Sequence, residues 1–260
     1  MKHLTREGVR LAYEESGSGS PPIVLVHGWT CNHTYFSPQQ EHFSKRHRVV
    51  AVDLRGHGES DKPEGSYAIT QFADDVAWLC RELRVQKPVV IGHSMGGMTA
   101  LELAVRHPDL AAAIVVCDSP MAMPEALVSN LRAVTQQFRG PDWRKVHRGF
   151  IADALFNPAD DPKRKQKILA DMTSAPDHVT LGCWDGITGA DMDGDLAKVN
   201  VPFLYLAAEP QLADLAKLRA LCPHVVVGQT VGAGHFHQLE VPDQVNAMIE
   251  RFLTVSRLAA

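Results

Sequence analysis

Gly92-His93-Ser94-Met95-Gly96-Gly97 stands where the apolar run Pro88-Val89-Val90-Ile91 gives way to a helical pattern beginning at Met95. A serine between glycines at a strand-to-helix junction describes a sharp turn. The backbone around the serine is strained, the flanking glycines avoid clashes that side chains would make, and the helix N-terminus points amide donors at the site. A glycine-rich turn whose serine only caps the helix would use the same six residues. What surrounds them decides between the two.

Outward from Ser94, short β-branched runs alternate with longer helical stretches, the pattern of a mostly parallel sheet flanked by helices. Strands are expected over 9–13, 23–26, 49–52, 88–91, 113–117, 203–207 and 224–227, and their unbroken apolar character fits burial on both faces. Helical spacing covers 70–83 and 95–107, the second stopping at His107-Pro108. The stretch 243–253 reads as a closing helix with Val245, Met248, Ile249 and Phe252 on one face. Gly17-Ser18-Gly19-Ser20, before Pro21-Pro22, is a flexible turn and not a phosphate loop. Between 119 and 199 the rhythm breaks: several Pro and Gly enclose amphipathic segments such as 125–138. A structureless loop of that length does not suit a compact domain. The organisation expected is therefore an α/β core of residues 1–118 and 200–260 with a helical cap over 119–199.

The 260 residues, 45% of them hydrophobic, suffice for one sizeable core. A net charge of -4 with no run of like charges speaks against nucleic acid as a partner. The densest cationic stretch, 163–167, follows turn residues and reads as a solvated helix start. No apolar run approaches the roughly 20 residues that span a bilayer, and Met1-Lys2-His3-Leu4-Thr5-Arg6-Glu7-Gly8 lacks the layout of a secretion signal. A cytoplasmic protein with a small-molecule substrate and no membrane partner is expected. Five scattered cysteines form no C-x-x-C pair, so buried thiols are expected, without metal.

Three further blocks accompany the serine turn. His27-Gly28-Trp29 follows the strand 23–26, Asp53-Leu54-Arg55-Gly56-His57-Gly58-Glu59-Ser60 follows the strand 49–52, and Gly232-Ala233-Gly234-His235 lies late in the chain. In this order the four blocks resemble the α/β-hydrolase superfamily over essentially the whole chain, as a serine-nucleophile, cap-bearing member of the esterase or lactonase kind. The resemblance implies the α/β-hydrolase fold, a mostly parallel twisted sheet flanked by helices, with the helical cap inserted after the sixth strand. It makes Ser94 the nucleophile, His235 its base, and the backbone N–H groups of Trp29 and Met95 the oxyanion hole, with no cofactor. A serine hydroxyl is a poor nucleophile at neutral pH, so an imidazole must take its proton during attack and return it to the leaving group. His237 is then a neighbour of the base, and His27 and His93 orient loops.

The acid of the triad is where the chain departs from the commonest family pattern. The loop after the strand 203–207 reads Ala208-Glu209-Pro210-Gln211, and Gln211 occupies the slot where Asp is usual. A glutamine does not stabilise an imidazolium. Asp118, at the end of the strand 113–117, resembles the arrangement of some lactonases, one branch of haloalkane dehalogenases and the cofactor-free ring-cleaving dioxygenases, and would fix the tautomer of His235. Glu209 from a shifted turn, Asp214 or a cap residue are the alternatives, and Asp118-Ser119-Pro120 also suits a plain turn.

Hydrolysis of a small carboxylic ester or lactone through an acyl-enzyme is the function these residues imply. The alternatives are carbon–carbon bond hydrolysis, cofactor-free dioxygenation driven by the same histidine, and a non-catalytic binding protein on the same fold. A hydroxyl at the elbow, in place of a carboxylate, disfavours dehalogenation. Phe138, Trp143, Phe150, Phe156 and Trp184 are candidates to line an apolar pocket in the cap, with Trp184 and Trp143 as the substrate-binding residues.

Overall fold

The computed structural model describes residues 1–258. Among them eight strands form one sheet in the spatial order β1-β2-β4-β3-β5-β6-β7-β8. They are β1 (Lys2–Arg6), β2 (Val9–Ser16), β3 (Ile23–Val26), β4 (Val49–Asp53), β5 (Val89–His93), β6 (Ala113–Cys117), β7 (Phe203–Ala207) and β8 (Val226–Gln229). β1 pairs with β2, and β2 with β4, antiparallel; every other pairing is parallel. The central strands are buried throughout, and alternate residues feed two separate cores. Val24, Val26, Val50, Val52, Val90 and Val116 face one, while Ile23, Leu25, Val49, Ala51, Ile91 and Val115 face the other. That two-residue period inside an unbroken apolar run is what a strand covered on both faces requires.

α1 (Ser37–Phe43) and α11 (Pro242–Val255) close the second core with Phe43, Val245, Ile249 and Phe252. α2 (Ile69–Glu82) and α3 (Met95–Arg106) close the first with Phe72, Val76, Met98 and Leu101. Between β6 and β7 run five helices: α4 (Glu125–Phe138), α5 (Trp143–Ala154), α6 (Pro162–Met172), α7 (Asp177–Gly189) and the short α8 (Met192–Leu196). α4 packs on α5 and α7, and α5 on α6, whereas α8 packs against α3 beneath the sheet's first core. α9 (Leu215–Leu221) and α10 (His237–Glu240) complete the chain.

The expected fold class is the one observed, with local differences that have physical reasons. β5 starts at Val89 and runs to His93, because Pro88 has no N–H to give a ladder. β8 is shifted to Val226–Gln229 and is a partly exposed edge. β1 has no apolar run to announce it; the hairpin turn Glu7-Gly8, both at positive φ (50° and 81°), folds it onto β2 with Arg6 opposite Val9. The cationic stretch does begin a helix, with the Asp161 carboxylate accepting the amides of Lys163 and Arg164 at α6. All five cysteines are free and buried. Among the described residues no helix is long and apolar enough to cross a membrane.

Candidate active site

The turn from β5 to α3 puts Ser94 at φ 54°, ψ -122°, a conformation that an L-residue holds only when its surroundings enforce it. The enforcement is close packing. A Cβ on Gly92 would lie 2.1 Å from the Gly96 carbonyl oxygen, and one on Gly96 would lie 2.0 Å from that of Val26. Ser119 locks the turn from the side, its Oγ donating to the Ser94 carbonyl at 2.7 Å, and Tyr205 Oη holds the Ser119 carbonyl in turn at 3.0 Å. Ser94 thus sits at the N-terminus of α3 with its side chain partly exposed to a cavity.

His235 lies in the loop between β8 and α10, almost fully buried at 7% exposure. Its Nδ1–H donates to Asp118 Oδ2 at 2.7 Å, which leaves Nε2 as the proton acceptor. Asp118 follows β6, is 1% exposed, and its other oxygen accepts the Ala208 amide at 3.3 Å. Of the carboxylates weighed from the sequence, the structure brings Asp118 to His235. Glu209 is exposed, and Asp214 caps α9 by accepting the Ala216 and Lys217 amides. Gln211 bonds Gln229 at 3.0 Å. No hydrogen bond joins Ser94 Oγ to the His235 ring among the described residues; in unliganded sites such bonds are often long and tighten around substrate.

His93 fixes the loop of His235 by donating Nε2–H to its carbonyl at 2.8 Å, with the two rings 4.5 Å apart. Complete burial, then the neighbouring His235 and His237, hold its pKa well below the usual value, so His93 stays neutral. His237 sits below the site, its Nδ1 on Thr230 Oγ1 at 3.0 Å, with its pKa lowered by burial to about 4. His27 donates to the Gly28 carbonyl at 2.8 Å and accepts the Leu54 amide at 3.1 Å. His27 and His93 thus hold backbone, whereas His237 bonds a side chain.

The loop Gly28-Trp29-Thr30 faces Ser94 from β3. Neither the Trp29 nor the Met95 amide donates to another described residue, so both are free to serve a ligand. The Trp29 indole is tied to the Thr180 carbonyl at 3.0 Å, and the Thr30 amide is held by His57 Nε2 at 3.1 Å. His57 was overlooked in its block, although its place between two glycines beside Arg55 carried the signal. Burial, then the charge of His27, lowers its pKa to about 3, which keeps Nε2 an acceptor. Ser119 was overlooked too, because beside Pro120 it reads as an ordinary turn residue.

Ser94 and His235 open into a cavity of about 350 Å³ between the sheet and α4–α7. Trp184 lines it, with its indole N–H on Thr135 Oγ1 at 2.9 Å, and Phe150 and Phe156 line it as well. Phe138 stands behind Trp184 at a ring distance of 4.6 Å and does not reach the cavity. Trp143 corrects the expectation made for it. As the first residue of α5 it stacks on His147 with Arg144 over its ring, outside the cavity lining. Aliphatic residues supply much of the remaining wall, among them Leu127, Leu131 and Ile187, which helical spacing alone does not distinguish from core.

A sequence model described as the alpha/beta hydrolase fold matches residues 21–242. A 2-(acetamidomethylene)succinate hydrolase of Mesorhizobium japonicum is 40% identical over 94% of this chain and 92% of its own. A 3-oxoadipate enol-lactonase of Acinetobacter baylyi is 27% identical over 95% of this chain and 94% of its own. Among solved structures, a thermophilic esterase from Thermogutta terrifontis superposes with a TM-score of 0.84 at 26% identity, covering 98% of this chain and 99% of that one. Est816, an N-acyl homoserine lactone degrading enzyme, does so with a TM-score of 0.82 at 28% identity, over 96% and 100%.

Proposed function

The chain belongs to the α/β-hydrolase family, and from that premise we propose that it hydrolyses a small carboxylic ester or lactone through an acyl-enzyme on Ser94. The observation that carries the reading is the His235–Asp118 hydrogen bond of 2.7 Å beside a serine held at the N-terminus of α3, at the floor of one cavity. Ser94 Oγ attacks the carbonyl carbon while His235 Nε2 takes its proton. Asp118 keeps Nδ1 protonated and stabilises the imidazolium that forms. The N–H groups of Trp29 and Met95, unengaged elsewhere, take the oxyanion. Collapse expels the alkoxide, protonated by His235; a water then attacks the acyl-enzyme with His235 as base again, and the second intermediate breaks its bond to Ser94 Oγ, which recovers the proton from His235 as the acid leaves. The esterase and lactone-degrading relatives support this bond class. The relative named for an acetamido-bearing succinate supports a second reading, in which the same steps cleave an acyl bond to nitrogen.

The test is the second-order rate of labelling by a fluorophosphonate, with turnover of short p-nitrophenyl esters beside it. Wild type should label and Ser94→Ala should not. Asp118→Asn should label about 1,000-fold more slowly or worse, because the wrong imidazole tautomer then faces the serine. Glu209→Gln should label at the wild-type rate. An unlabelled wild type refutes the reading, and turnover that persists in Ser94→Ala would move the chemistry to His235 alone, as in carbon–carbon cleavage or dioxygenation.

A further inference from the structure

The walls of the cavity restrict what the nucleophile can be offered. Apart from histidines, the one acidic or basic side chain on the lining is Asp153, exposed near the end of α5. No Lys or Arg lines the cavity among the described residues. The cations nearby lie off the lining. Lys165 covers the Phe156 ring at 4.9 Å and donates to the Ala152 carbonyl at 3.0 Å. Arg132 and Lys217 line a separate cleft on the far side of Leu131 and Ile187, where Lys217 pairs with Asp193 at 2.6 Å. The other polar side chains on the main lining, Ser94, Cys31, Gln211 and the Trp29 and Trp184 indoles, carry no positive charge.

A carboxylate drawn into such a cavity loses its water and gains no cation or amide cluster in exchange, which costs several kcal/mol. It also meets the like charge of Asp153. We infer that the site selects substrates whose acyl portion is uncharged and apolar, and discriminates against acyl chains that end in a carboxylate, with Asp153 a specificity-determining residue. This rests on Ser94 being the nucleophile. It separates the chain from relatives named for 3-oxoadipate and for a succinate, both of them carboxylates.

Two esters of equal chain length read the discrimination: p-nitrophenyl pentanoate and the p-nitrophenyl monoester of glutaric acid. At pH 7.5 the pentanoate should be favoured in kcat/KM by about 100-fold or more, the scale of burying an uncompensated carboxylate. In Asp153→Asn the ratio should shrink by about three- to tenfold, and in Asp153→Lys further. A ratio near one, or in favour of the glutarate ester, overturns the proposal. An unchanged ratio in both variants overturns the role of Asp153. Failure of the underlying reading looks different, since neither ester would then turn over. The preference is in that case read from the thermal shift of Ser94→Ala with methyl pentanoate and with monomethyl glutarate at matched concentration. Stabilisation by the first alone upholds the selection, and equal stabilisation by both ends it.

Discussion

At the scale of single residues, the site depends on neutral histidines that hold backbone. His57 is the clearest case, because it bridges two loops: Nδ1–H donates to the Arg55 carbonyl at 2.8 Å and Nε2 accepts the Thr30 amide at 3.1 Å. In His57→Phe the Thr30 amide is left buried without a partner, at a cost of about 1–3 kcal/mol in unfolding free energy. The same change loosens the loop that presents the Trp29 amide, so kcat should fall while KM holds. Chemical denaturation with ester kinetics checks both, and a fall in KM alone would contradict the positioning role. Asp118 was legible in the sequence because Gln211 left the usual slot empty and a second acid ended a core strand. Ser119 and the misplaced Trp143 were not, since which way a side chain points at a helix start or in a turn is set by packing from other elements.

At the scale of elements, the buried runs announced themselves and the edges did not. β3 to β7 are read directly because a strand covered on both faces has to be apolar throughout. β1 is mostly exposed and polar, and only its turn encodes it. That turn carries Glu7 at φ 50°, where a residue with a Cβ pays strain that Asn or Gly largely avoids. Glu7→Asn should therefore raise the thermal midpoint, by the equivalent of a few tenths of a kcal/mol to about 1 kcal/mol, and a lowered midpoint would argue against the hairpin. α11 makes the opposite test. Its spacing predicted one apolar face, and Val245, Ile249 and Phe252 do close the second core. Phe252 is 3% exposed, so Phe252→Ala should cost about 3–5 kcal/mol by transfer and cavity together. A loss under about 1 kcal/mol in urea unfolding would mean the helix is not docked as described.

At the scale of the whole molecule, the buried histidines make stability a function of pH. Burial lowers the pKa of His27, His57, His93, His147 and His237, to about 3 for His57 and about 4 for His147 and His237. In the unfolded chain each takes up a proton near pH 6.5. Below that pH the unfolded state therefore binds more protons than the native one, and stability falls as pH falls, by about 1.4 kcal/mol per pH unit for each such histidine. Three groups act the other way, Glu240 among them, its carboxyl raised by burial. Glu102 is raised to about 7, by burial and then by Asp195, so it holds a proton in the native state that the unfolded chain releases near pH 4.5. His33 is raised by its bond to Asp53, and its contribution is present below 6.5 and lost as pH climbs through the raised value. Five against three still leaves a net slope, so the urea midpoint should drop from pH 6.5 to about 4. His147 isolates one increment, since it packs between Trp29 and Trp143, away from Ser94, and its Nε2 has no partner among the described residues. His147→Phe should flatten the wild-type slope between pH 6 and 5 by close to one proton's worth, about 1.4 kcal/mol per pH unit. An unaltered slope in that variant would place His147 in water, and with it α5 away from the Trp29 loop that it now covers.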